Sequence, residues 1–111
     1  MTGAGDLDRL LQFRRSVLTD DGYEQAETWA DHGAPVWASR RDVRDSEKVA
    51  AGQESATLMS RFVVRWSDLT ANIDAADRFT CDGREWEIIG AKEATEGRRR
   101  FIEITAISRA T

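Results

Sequence analysis

Few residues of this 111-residue chain could do chemistry by themselves, and their spacing limits what that chemistry is. There is one histidine, His32, set in the turn Asp31-His32-Gly33-Ala34-Pro35. A metal site or a general base needs partners at fixed spacing, and the lone cysteine, Cys81, is distant in sequence. Cys81 stands just before a turn, with no base beside it and no nucleophile signature around it, so it reads as a packed thiol. Carboxylates are plentiful, among them Asp20, Asp21, Glu24, Glu27, Asp74, Asp77, Glu85 and Glu87. No pocket-forming scaffold gathers them for acid–base work, so they read as solvated strand faces and turns. The expectation is a non-enzyme without cofactor or metal.

Binding chemistry is better represented. Arg98, Arg99 and Arg100 form a basic triplet after the Glu96-Gly97 turn. Arg61 and Arg65 make a second basic stripe on one face of a strand-like run. The triplet suits phosphate, an acidic partner or a solvated hairpin tip, and the stripe a partner contact or plain solubility. The four tryptophans are Trp29, Trp37, Trp66 and Trp86. Core packing is the default for such rings, but a small barrel does not easily bury all of them. Trp29 and Trp37, flanking the chain's single proline, Pro35, are the candidate interface anchors.

The elements that must position these residues are mostly strands. Alternation marks extended runs over Leu10–Leu18, Gln25–Ala30 (continued by Val36–Ser39), Thr57–Trp66, Arg78–Cys81, Arg84–Ala91 and Arg98–Ser108. Leu58, Ser60, Phe62, Val64 and Trp66 share one face, with Met59, Arg61, Val63 and Arg65 on the other. Asp82-Gly83 joins two of the runs, and Asp-Gly is the strongest short-range hairpin signal, because a type I′ turn needs positive φ at both central residues. Asp45 or Ser46 can cap, and Gly52 can end, a helix of about two turns. Ser67–Asp77 reads as a polar connection plugged by Leu69 and Ile73. Six short strands with such regular turns imply a small antiparallel β-barrel with one short α-helix and long loop excursions. Closure removes the edges that an open sheet would expose. Residues 1–9 are expected to be a flexible leader without the features of a secretory signal, and 10–111 one domain.

The net charge of −4 argues against a dedicated nucleic-acid binder. Nor is any apolar run long enough for a membrane-spanning helix.

The order of the motifs resembles a known family. Gly5-Asp6-Leu7-Asp8-Arg9-Leu10 with Phe13-Arg14-Arg15, the Asp21-Gly22-Tyr23 turn, and Glu27-Thr28-Trp29 are similar to the opening of phage head–tail joining proteins. Val36-Trp37-Ala38-Ser39-Arg40-Arg41, Phe62-Val63-Val64-Arg65-Trp66 and the hairpin from Asp77 to Ile88 continue the likeness, as does Arg100–Ser108. Trp66 and Trp86 replace a more usual tyrosine, and the segment between Arg41 and Thr57 is short.

The resemblance implies a head-completion, or stopper, protein of a tailed phage, a prophage or a gene transfer agent. Such a protein is made in the host bacterial cytoplasm and resides at the virion neck. It implies a ring of copies, dodecameric in the particle, between the portal or adaptor protein and the tail or tail-terminator protein. Packaged double-stranded DNA would pass through without sequence-specific binding, and no membrane would be involved. Asp42, Glu47 and Glu54 lie on the excursion expected to face the channel or the portal side. The rival readings are a tail-terminator-like neck ring, a free-standing monomeric β-barrel that binds a peptide or protein, and a small enzyme with carboxylate chemistry.

Overall fold

A computed structural model describes residues 7–20, 22–43, 57–94 and 100–109. Among these are seven strands: β1 (Arg9–Asp20), β2 (Gln25–Asp31), β3 (Val36–Asp42), β4 (Thr57–Arg65), β5 (Arg78–Cys81), β6 (Arg84–Glu93) and β7 (Phe101–Arg109). They form one antiparallel sheet in the order β2-β1-β3-β4-β7-β6-β5, and β1 also pairs with β5. That last pairing, through Gln12–Arg14 and Arg78–Thr80, closes the sheet into a ring. The core face that alternation predicts is the inner one. Leu11, Phe13, Phe62, Val64, Phe79, Trp86, Ile104 and Ala106 are buried there together. Phe62 sits 4.9 Å from Phe79 and 5.1 Å from Trp86, both edge-on, an arrangement that adds to simple burial.

The expectation of six strands becomes seven because His32–Pro35 divides the second run in two. Both pieces lie along the same edge of β1: β2 opposite Arg14–Asp20 and β3 opposite Arg9–Leu11. The break is stitched by a hydrogen bond from the His32 amide to the Phe13 carbonyl (2.8 Å). Pro35 has no amide to offer a ladder, so a break suits it.

The Asp-Gly hairpin is as expected. Cys81 pairs with Arg84, and Asp82 and Gly83 both have positive φ, 56° and 73°. On β6 the register slips between Ile88 and Gly90, a bulge that bends the strand around the closing sheet.

The described helix, α1 (Asp68–Ala71), lies in the segment expected to be a polar connection. Ser67 Oγ accepts the Thr70 amide (3.1 Å) and Thr70 Oγ1 accepts the Ser67 amide (2.8 Å). This reciprocal cap holds a single turn that is too short for any hydrophobic period. Leu69 and Ile73 do plug the core, as anticipated. Leu69 packs so closely on Gly33 that a Cβ there would lie 2.6 Å from Leu69 Cδ2. The helix expected over Asp45–Gly52 lies outside the described residues.

Candidate functional site: a projecting arm and an outer wall

β1 runs for 12 residues, but only its first half belongs to the closed sheet. Leu11 and Phe13 face the core, whereas Val17 and Leu18, further along, are exposed. From Arg14 onward its ladder partner is β2, which is exposed over nearly its whole length. The two strands therefore stand off the closed sheet as a ribbon that contributes little to the core. Their turn carries Gly22 at φ 90°, with its amide donating to Asp20 Oδ1 (2.9 Å). Leu18 is 68% and Tyr23 96% exposed, so the end of the arm presents large apolar side chains to the outside.

The base of the arm is braced. Arg15 Nε and Nη2 donate to the two carboxylate oxygens of Asp77, at 2.8 and 2.9 Å, and Nη2 also donates to the Asn72 carbonyl (3.0 Å). The Asp77 side chain is only 1% exposed. Burial opposes its charge, but the Arg15 hydrogen bonds, the Asp74 amide and the nearby positive charge outweigh it. The carboxyl is held below the ordinary aspartate range. Asp77 is thus not the solvated turn carboxylate that the sequence suggests. On the arm's other face Trp29 lies under the Arg78 guanidinium, 4.4 Å from ring centroid to Cζ, and Arg14 Nη2 donates to the Trp29 carbonyl (2.6 Å). Trp29, Ser16, Glu27, Arg78 and Glu87 help line an open groove of about 370 Å³ beneath the arm.

A second apolar feature lies on the outer wall. Leu10 and Trp37 are directly opposed across β1 and β3, and both are exposed, Trp37 by 56%. Alternation places Ser39 and Arg41 on the Trp37 face, and the ladder sets Val63 opposite Ser39 and Arg61 opposite Arg41. Arg65, exposed, continues this face on β4. Arg61 is loosely paired with Glu103, 3.9 Å away. The register sets Arg65 one step past the Ala38–Val64 pair, at the Trp37 end, and Arg61 opposite Arg41 at the other, so cationic side chains flank the apolar pair along the wall, with Glu103 among them.

The remaining candidates divide. Asp42 ends β3, where it accepts from Ser60 Oγ (2.6 Å) and Arg40 Nε (3.1 Å), and these contacts hold its carboxyl below the usual range. Arg100 is exposed and its guanidinium lies 5.8 Å from the Phe101 ring centroid. Glu47, Glu54, Arg98 and Arg99 lie outside the described residues. Cys81 is buried, and that burial, with the adjacent Asp82, pushes its thiol up to about 11, so it is a neutral packing group at physiological pH. His32 sits at the β2–β3 break with its Nε2 buried.

Residues 3–109 match the family model of the phage head completion protein. The chain belongs to that family. Its fold also recurs in solved structures. One is a chain in the virion of a native gene transfer agent particle, with 21% identity, a TM-score of 0.66, and 94% of this chain and 96% of that one covered. Another is the solution structure of protein SF1141 from Shigella flexneri 2a, with 27% identity, a TM-score of 0.67, and coverage of 97% and 96%. No curated protein sequence matches. Membership makes the protein a structural component of head completion, associated with other virion proteins in the particle.

Proposed function

We propose that this head-completion protein acts at the virion neck as a ring between the portal or adaptor and the tail, extending the DNA channel and retaining packaged DNA. The observation that carries this reading is the arm. A two-stranded ribbon is at best marginal in water unless something packs on it, and this one carries exposed Leu18 and Tyr23. A ring subunit needs two unlike lateral surfaces, because a cyclic interface is heterologous. The arm and the outer wall are unlike, with Trp37, Arg61 and Arg65 on the wall and Trp29 on the arm. The role is non-catalytic, in keeping with a buried neutral Cys81 and an Asp77 committed to Arg15.

The net charge of −4 suits a channel through which a polyanion slides rather than binds. The excursion that leaves β3 after Asp42 and carries Glu47 and Glu54 faces that channel or the portal-side partner. Arg98, Arg99 and Arg100 meet an acidic neighbour. Particles made without this gene test the role. DNA-containing or leaking heads separated from complete tails would support it. Normal tailed particles that deliver DNA at wild-type levels would refute it.

A further inference from the structure

Leu18 and Tyr23 on the arm and Leu10 and Trp37 on the wall are exposed apolar groups on one molecule. They cannot cover each other within it. Leu10 and Leu18 are eight residues apart on the continuous strand β1, which places them roughly 27 Å apart along it. Among the described residues, neither patch is covered by the other. The charges nearest the two patches are complementary, carboxylates on the arm against arginines on the wall, although Asp31 is shared with Arg14, Arg61 with Glu103, and Asp82 at the hollow with Arg9 and Arg40. Leu18 is directly opposed by Glu27 across the ribbon, and Asp20, Glu24 and Asp31 are also exposed on the arm. Trp37 shares its face with Arg41, and across the ladder stand Arg61, opposite Arg41, and Arg65, at the Trp37 end. Beside Leu10 lies a shallow hollow of about 260 Å³, bounded by Pro35, Thr80 and Gly83, open to an incoming ring.

We infer that the occupant of the wall is the arm of a second copy of this chain. Leu18 seats against Trp37 and Leu10, Tyr23 enters the hollow beside Pro35, and Glu27 meets Arg41. Apolar groups supply the burial, and the charged rim sets register and rejects the inverse pairing. Arm and wall are different surfaces, so the contact is head-to-tail and leaves a free arm and a free wall on every pair. It propagates around a ring. This deepens the ring reading above and rests on it.

Charge reversal in particles tests it. Glu27→Arg alone and Arg41→Glu alone each place like charges at the contact, and each lowers incorporation of the protein into particles at least tenfold. The double variant restores it to near wild type. A merely structural role for either residue would not produce that rescue. A second measurement uses Leu18→Cys with Trp37→Cys in one chain. Oxidised particles then yield a ladder of covalent multimers, while either single variant yields none.

Two further results would overturn the inference, and they differ in what else they remove. Particles that carry the double-cysteine protein at normal levels, without a ladder and without charge rescue, would give the wall to another virion protein and leave the ring reading standing. A ladder absent because the protein never enters particles that are otherwise complete would remove the ring reading as well.

Discussion

Asp77 and Arg15 are the residues on which the arm's attachment turns. Replacing Arg15 with alanine leaves a buried carboxylate without its counter-charge, and such losses run to about 2–3 kcal/mol at neutral pH. Urea denaturation of the Arg15→Ala protein checks this. The pH dependence has a definite sign. Because the native carboxyl is held below its unfolded value, its contribution is present in full above about pH 5. It drains away as pH falls below the ordinary aspartate value of about 3.9 and through the lower native one. In Arg15→Ala the buried carboxyl is raised instead, so the gap between variant and wild type narrows as pH falls. A gap that stays constant from pH 7 to pH 3 would show that the ion pair is not what braces the arm. Trp86 is the other critical residue, fully buried between Phe62 and Phe79. Trp86→Ala should cost about 3–5 kcal/mol by the same measurement. Core packing is the default reading for a strand tryptophan, and Trp86 follows it. Asp77 was not legible, because nothing local marks a turn carboxylate whose partner lies 62 residues away. The split of the four tryptophans was partly legible: counting rings against barrel size points to surplus ones, and Trp37 is indeed exposed.

At the scale of elements, most strands could be read directly, since one face of each is buried and register is then strongly specified. β1 misleads in one respect. Its alternation continues unbroken through Arg15 and Val17, but the sheet it belongs to does not, so the same pattern means core at Phe13 and surface at Val17. Only the closure of the sheet decides where the core stops, and closure is a long-range property. The single-turn helix α1 was hidden for a different reason: its cap pairs Ser67 with threonine rather than with the longer Glu or Gln that usually signals a capping box. Two glycines separate backbone from packing effects. Gly83 has positive φ in open space, so Gly83→Ala should cost about 1 kcal/mol from backbone strain alone. Gly33 has positive φ and also touches Leu69, so Gly33→Ala should cost clearly more in the same denaturation series. Equal costs would mean that Leu69 moves aside freely and that α1 does not press on the β2–β3 break. The arm gives a bolder test. Joining Ser16 to Trp29 through an Asn-Gly turn removes most of it at a point where the two strands already pair. The shortened protein should retain its thermal midpoint within a few degrees, because the arm buries little of the core, yet fail to enter particles. A collapse of the midpoint would show that the arm supports the closed sheet.

For the molecule as a whole, the closed sheet is a rigid holder for unlike surfaces placed well apart, within overall dimensions of 51 × 33 × 23 Å. That shape favours assembly through contacts at its extremities. The negative net charge is a property of the surface rather than of the fold, and in the proposed ring it would keep DNA from binding. Exchanging Glu47 and Glu54 for lysine should slow DNA delivery without altering particle morphology, measured as delivery per filled particle. Unchanged delivery would detach the Asp42–Ala56 excursion from the DNA path. A cryo-electron microscopy reconstruction of the particle neck decides whether the protein is a neck ring built from this closed sheet. The expected density is a ring of copies between portal and tail, with the arm of each subunit laid on the Trp37 wall of the next. A neck in which no ring accommodates the seven-stranded closed sheet, or copies found only elsewhere in the particle, would contradict it.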